Sequence, residues 1–364
     1  MKKVLIILFI LLSVNLFSQS KISVSKNGNW AVSKRGNLLV NTTASAPASS
    51  NIIADHSIVA DYVNIPQQYI DSVKKRWVSV VGASHGLAYA EGCALLEAAD
   101  NKYQIQQQFD GTPAGYTASY LRINEGVWEN YATADAWTWY NGRQDFWTNA
   151  TILETRKSSL QYCKDNGPAL YAMLYGWSFD PTMTNAPGGT SDPVYGVRWA
   201  GSTTNGADGD LIWGLDDGDE ALTSNSVSML TYIRAMQALM DYCTANSITT
   251  KIIWSTGPVD GEQSWNINES GYQQYLKWEY IRNHVDSLSN QYFIDYADIL
   301  SYNDAGEAAT TTWEDNNSVV KTFPVIHSDN MGGDAIGHIG SVGALRLGKA
   351  MWWLLARMAG WDGN

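Results

Sequence analysis

Cysteine is scarce: Cys93, Cys163 and Cys243 are the only three in 364 residues. So low and odd a count excludes the disulfide framework that small secreted domains need, and leaves room for one bridge at most. Cys163 and Cys243 each follow a tyrosine near the end of an expected helix, which makes them the candidate pair. Buried free thiols acting as small hydrophobes are the simpler expectation. Positive charge is also in short supply, with 24 basic against 36 acidic side chains and a formal net charge of -12. That balance repels polyanions, so nucleic acid is not an expected partner and neutral substrates are more natural. Among the five histidines, His56 and His284 have no partner at metal-ligand spacing, and no zinc site is expected. The acidic run Asp216, Asp217, Asp219 and Glu220 lacks the spacing of a calcium loop and reads as a helix N-terminus favoured by the dipole. Long apolar runs are missing beyond Phe17, so no membrane-spanning helix is expected in the mature chain.

What is present begins with Lys2 and Lys3, an apolar run from Val4 to Phe17 diluted by Ser13 and Asn15, and the polar stretch Ser18-Gln19-Ser20. This is the pattern of a secretory signal peptide over residues 1–20. No cysteine follows the expected cleavage region, which disfavours a lipid anchor, and a soluble secreted or periplasmic protein is expected. Residues 21–65, rich in Ser, Asn, Thr and Ala, read as an N-terminal extension with a hairpin around Trp30 to Val40.

From residue 66 to 364 the pattern is that of one domain. Arg76–Val81 is a compact β-branched run, and His85–Ala98 carries apolar residues at helical spacing. The alternation continues with strands at Tyr103–Gln108, Ala169–Tyr175, Thr250–Ser255 and Tyr292–Tyr296. Helices are expected at Asp145–Asn166, Leu222–Ala245, Tyr272–Leu288 and Gly343–Met358. Strands separated by helices of this length build a parallel sheet covered on both faces, a doubly wound α/β domain. Asp180–Glu220, full of Gly, Thr, Asp and Pro, is too long for an ordinary connection and is expected to line a substrate cleft. The 16 Trp and 20 Tyr point weakly to carbohydrate, since exposed rings stack on sugar faces; Trp177, Trp199 and Trp213 are the candidates for that role.

Two segments carry the chemistry. Gly82-Ala83-Ser84-His85-Gly86 is a G-x-S-x-G pentapeptide between an expected strand and helix, a turn that holds a serine hydroxyl above the sheet edge and offers helix N–H groups to an oxyanion. Near the other end, Asp334 and His338 lie four residues apart just before the last helix, so the carboxylate is placed to orient the imidazole. His327 lies beside Asp329, but no glycine-led helix follows it at the right spacing. His85 either faces the cleft or is merely exposed at a helix start.

In that arrangement the sequence resembles the SGNH, or GDSL-like, serine hydrolases, over about Lys74 to Gly360. In that family the nucleophile follows the first strand, and an Asp and a His arrive together before the last helix. The interval from His338 to Gly343 matches the family's, and Gly115-Tyr116-Thr117 resembles its Gly-Asp-Thr turn. The resemblance implies a three-layer α/β/α fold with a flavodoxin-like parallel sheet. It also implies a Ser84, His338, Asp334 triad and an oxyanion hole from the N–H groups of Ser84 and Gly115, with help near Ser178. No metal or cofactor is implied. An α/β-hydrolase is disfavoured, because no strand convincingly precedes Arg76 and acid and base share one loop. Three departures stand out: Ala83 where the family has Asp, Gly176-Trp177-Ser178-Phe179 where it has Gly-x-Asn-Asp, and one extra residue between acid and base, which leaves Asp329 as a rival to Asp334. The expected substrate is an acylated carbohydrate or other small ester. A lipid or aryl esterase, or a catalytically impaired carbohydrate-binding protein on the same fold, are the alternatives.

Overall fold

The computed structural model describes residues 31–32, 38–39, 51–82, 84–108, 119–124, 145–167, 169–179, 181, 189–201, 212–262 and 268–364. The chain divides into two units, Met1–Ala48 and Ser49–Asn364. In the first, Ala31–Val32 pairs antiparallel with Leu38–Leu39 inside the segment expected to form a hairpin. The expected signal peptide lies outside the described residues. Among those residues no helix is long and apolar enough to cross a membrane.

The second unit is built on seven strands: β1 (Ile52–Ala54), β2 (Trp77–Gly82), β3 (Ile105–Gln108), β4 (Leu121–Asn124), β5 (Ala172–Gly176), β6 (Lys251–Ser255) and β7 (Tyr292–Ile294). They lie in the order β1-β7-β6-β5-β2-β4-β3, every pair parallel. This is a flavodoxin-like α/β sheet with one strand added at each edge. The central strands have apolar residues on both faces because both are covered: all six residues of β2 and all five of β5 are buried. The covering helices are α1 (Gln67–Lys74), α2 (Ser84–Ala99), α3 (Ala150–Asn166), α4 (Met229–Ala245), α5 (Asn268–Asp286), α6 (Tyr296–Ser301) and α7 (Ser341–Met358).

Two strands differ from expectation. β1 falls inside the segment read as an extension, and it joins the main sheet by pairing with β7. Asn51 fastens it there, its side chain donating to Val285 O at 2.9 Å and accepting from Gln291 N–H at 2.9 Å. The compact unit therefore begins at Ser49, and a strand of the sheet does precede Arg76. β4 fills the place beside β2, although its Arg122 is buried and reads in sequence as a polar break.

Local chemistry explains the helix boundaries. Asn149 accepts from the N–H groups of Thr151 and Ile152, so the expected helix over Asp145–Asn166 restarts at Ala150. Ser224, at φ 55°, ends a short turn of helix, and a capping box between Ser228 and Thr231 starts α4. The cysteines are free and buried, and burial pushes the Cys163 thiol up to about 12 and that of Cys243 to about 11.

The chain reverses direction across the sheet at β2, with β4 on one side and β5 on the other. Ligands in open α/β sheets bind at such switch points, outside the carboxyl ends of the strands. Those ends are Gly82 and Gly176, which are paired in register.

Candidate functional site

Glycine at both strand ends permits the approach that shapes this edge. A Cβ on Gly82 would lie 2.0 Å from Gly176 O, and one on Gly176 would lie 2.8 Å from Gly86 Cα. The first residue of the pentapeptide, Gly82, is thus dictated by backbone packing, whereas a Cβ on Gly86 would meet only Val80 Cγ1, at 3.4 Å. Between them Ser84 becomes the first residue of α2, where the initial N–H groups have no partner within the helix.

His338 reaches the same edge from the other end of the chain. Ala335–Ile336 (β8) and Ile339–Gly340 (β9) pair as a tight hairpin, with Gly337 and His338 as its two-residue turn. Gly337 has φ 60°, which the turn requires and which a glycine adopts at no steric cost. The hairpin runs directly into α7. Half-buried at its tip, the His338 ring stacks on His85, with centroids 4.7 Å apart and planes at 29°. Phe179 packs edge-on against the same pair, its ring centroid 5.7 Å from that of His338. Burial, and after it the neighbouring His85, push the His338 imidazole down to about 4.

His85 is buried, at 2% exposure, rather than solvent-facing. Its Nε2 lies 2.9 Å from Glu262 Oε2, in a pair whose side chains are almost wholly excluded from water. Glu262 belongs to the loop that leaves β6. Its Oε1 accepts from Val259 N–H at 2.8 Å, and its Oε2 accepts from the Tyr296 hydroxyl at 3.4 Å. Phe179 and Tyr296 pack edge-on against the His85 ring, at 4.8 and 5.8 Å. Five segments at one edge of the sheet, those after β2, β5, β6 and β7 and the His338 hairpin, therefore supply a single cluster.

The remaining expected site residues are placed as follows. Gly115 lies outside the described residues. Ser178 is partly exposed just beyond β5, between buried Trp177 and Phe179. Asp334 is exposed, and among the described residues its carboxylate makes no hydrogen bond or ion pair with His338. Its backbone instead exchanges bonds with Ser341, the N–H donating to Ser341 Oγ and the C=O accepting from Ser341 N–H. The rival, Asp329, is 60% exposed and lies 3.5 Å from His327, whose Nδ1 accepts from Asp329 N–H. Neither acid orients His338.

The three tryptophans are core residues and not stacking platforms. Trp177 donates its indole N–H to Ser255 O at 3.0 Å, Trp199 donates to Asp192 Oδ2 at 3.1 Å, and Trp213 packs against Trp147. In the described part of the long loop, Trp199 and its neighbours are pinned to α5. Lys277, fully buried and pushed down to about 7 by that burial, donates to the carbonyls of Pro181 and Ala200, and Arg198 pairs with Glu269. The acidic run caps its own helical turn: Asp216 accepts from Gly218 N–H, and Asp219 from Leu215 N–H.

One group among the described residues has the composition of a metal site, Asp55, His56 and Asp298, at the far edge of the sheet. Its ligand atoms already have protein partners. Asp298 Oδ2 lies 2.5 Å from His56 Nδ1 and accepts from His56 N–H, Asp55 accepts from Ser57, and the His56 ring lies flat on Tyr302.

Sequence reading missed Glu262 altogether and left His85 undecided. The available signal was position: a carboxylate in the loop after a central strand stands at the ligand-binding edge. No protein-family model matches the chain, and no curated protein matches it in sequence, so what the cluster does is read from its side chains alone.

Proposed function

We propose that the protein is an exported serine esterase of the SGNH type that removes acyl groups, acetate above all, from an oligosaccharide or polysaccharide. The observation that carries this reading is the ring contact between His338 and His85. It sets a half-buried imidazole, held neutral, against the residue next to Ser84 at the switch point of the sheet. In the proposed reaction His338 takes the proton of Ser84 while the serine oxygen attacks the ester carbonyl. The N–H groups opening α2 receive the oxyanion, with Gly115 and Ser178 as further donors. Collapse expels the sugar alcohol, which takes the proton back from His338. Water, activated by the same base, then cleaves the acyl-serine to the free acid.

Support for carbohydrate comes from the export signal and the net charge of -12, which favour a neutral extracellular substrate over an anionic one. It does not come from the tryptophans, which are buried. Two measurements test the reading. A fluorophosphonate probe should modify Ser84, located by peptide mass spectrometry. Acetate should be released from acetylated xylan or pectin faster than acid from long-chain esters. An unmodified Ser84 sinks the esterase; preference for long chains replaces the sugar with a lipid.

The position of Asp334 adds a sharper expectation. In a triad whose acid bonds the histidine, Asp to Asn costs about 10⁴ in kcat, whereas Asp334→Asn should change it by less than about threefold. Steady-state rates on a soluble acetyl ester check this.

A further inference from the structure

We propose that Glu262 and His85 are positioning residues for His338: Glu262 fixes His85, and His85 presents the ring face that holds His338 in place and keeps it unprotonated. This rests on the reading of His338 as the base.

The geometry gives the order of events. Glu262 can only accept, and it already takes N–H and O–H donors from Val259 and Tyr296. The short contact from His85 Nε2 is therefore an N–H donated to the carboxylate, which fixes tautomer and ring orientation together. Nδ1 of His85 is buried and has no partner, so no second bond competes to turn the ring. Against that fixed ring lies His338, nearly parallel. Two imidazoliums face to face in a poorly hydrated site repel, so the pair takes one proton far more readily than two. The carboxylate lies against His85 and not against His338, and the neighbouring His85 pushes the His338 imidazole down. His338 keeps its lone pair at pH values where an ordinary histidine would lose it.

Groups facing the pair come from several elements. Glu262 arrives from the loop after β6 and Tyr296 from α6. Tyr89 lies one turn along α2, and Asp334 belongs to the loop of His338 itself. Both phenols are driven well above their ordinary range by burial and stay neutral. Asp334 is exposed and, among the described residues, makes no hydrogen bond or ion pair with His338, while Asp295, which faces Tyr89, is taken up by Arg282 and Thr256. Among the described residues, Glu262 is the carboxylate that touches the ring pair. Burial of His338 acts in the same direction as His85.

The test is an NMR titration of the His338 ring, assigned by its loss in His338→Asn, in the wild type, His85→Phe and Glu262→Gln. Alongside it runs the pH dependence of kcat/KM on a soluble acetyl ester. In the wild type His338 should titrate near 4. Phe preserves an aromatic face but removes the neighbouring imidazole, and Gln preserves shape but removes the carboxylate, so each should raise the His338 midpoint by about one pH unit. The acid limb of kcat/KM should move with it, while KM changes little. A purely structural role would lower activity without moving that limb. A wild-type midpoint near 6.5, or variants that fold and leave the midpoint unmoved, overturns the proposal. Should one variant fail to fold, the midpoint in the other decides. The titration needs no substrate, so a Ser84 that resists the probe would end the esterase reading without deciding the ring pair.

Discussion

Ser84→Ala is expected to lower acetyl-ester hydrolysis by about 10⁴- to 10⁶-fold, with no change in fold. The size of the loss follows from what is removed and what remains. The hydroxyl supplies the bond-forming atom, so its deletion ends the covalent route. The N-terminus of α2 remains, because it is set by the packing of Gly82 and Gly86 against Gly176 and not by the serine side chain. A small residue from polarisation of the carbonyl should persist. His338→Ala should fall as far, since serine and base act as one unit, and the double variant should fall no further. Rates of acetate release in the three variants, with circular dichroism to show intact fold, check this. A Ser84→Ala protein within tenfold of wild type would place the nucleophile elsewhere.

Legibility in the sequence varied with the range of the interaction. β2, β5 and β6 were readable because a strand buried on both faces is a run of apolar residues whatever its neighbours are. β1 and β4 were not. Three residues of edge strand carry no period, and Ile52–Ala54 is defined by its pairing with Tyr292–Ile294, 240 positions along the chain. Arg122 in β4 breaks an apolar pattern that only burial in the fold explains.

The same divide runs through the site. The turn at Ser84 is a local, glycine-dependent structure and could be read locally; of the His338 hairpin only its place before the last helix was readable. Glu262 meets His85 across 177 residues from a loop with no motif. Asp334 was misassigned because four residues of separation say nothing about direction: its backbone is committed to Ser341, and the residue is exposed. The tryptophans were misassigned for the opposite reason. Composition counts rings but not which of them the core takes, and here it takes Trp177, Trp199 and Trp213.

Gly92→Val should be the most damaging single change away from the cluster, because it acts on the joint between the chain's two ends. α2 begins at Ser84, and α7 begins straight after the His338 hairpin. The two helices touch backbone to backbone where Gly92 meets Ala344 and Gly348. A Cβ on Gly92 would lie 1.9 Å from Ala344 O, and one on Gly348 would lie 2.2 Å from Gly92 O. Carbonyl oxygens in a helix cannot rotate aside, so the helices must part. Overpacking typically costs about 1–3 kcal/mol and more where backbone is the obstacle, so at least about 3 kcal/mol is expected. In a domain of this size that lowers Tm by roughly 5–10 °C. Parting the helices also shifts His338 relative to Ser84 and His85, and a displacement near 1 Å is enough for a loss of about 10² in kcat. Gly189→Ala is the control: nothing lies within 4 Å of its added Cβ, and Tm and rate should both stay at wild-type values. Thermal melts and acetate release on the two variants separate the outcomes. If Gly92→Val melts and turns over like the wild type, the helix crossing is not what holds the two ends of the chain together.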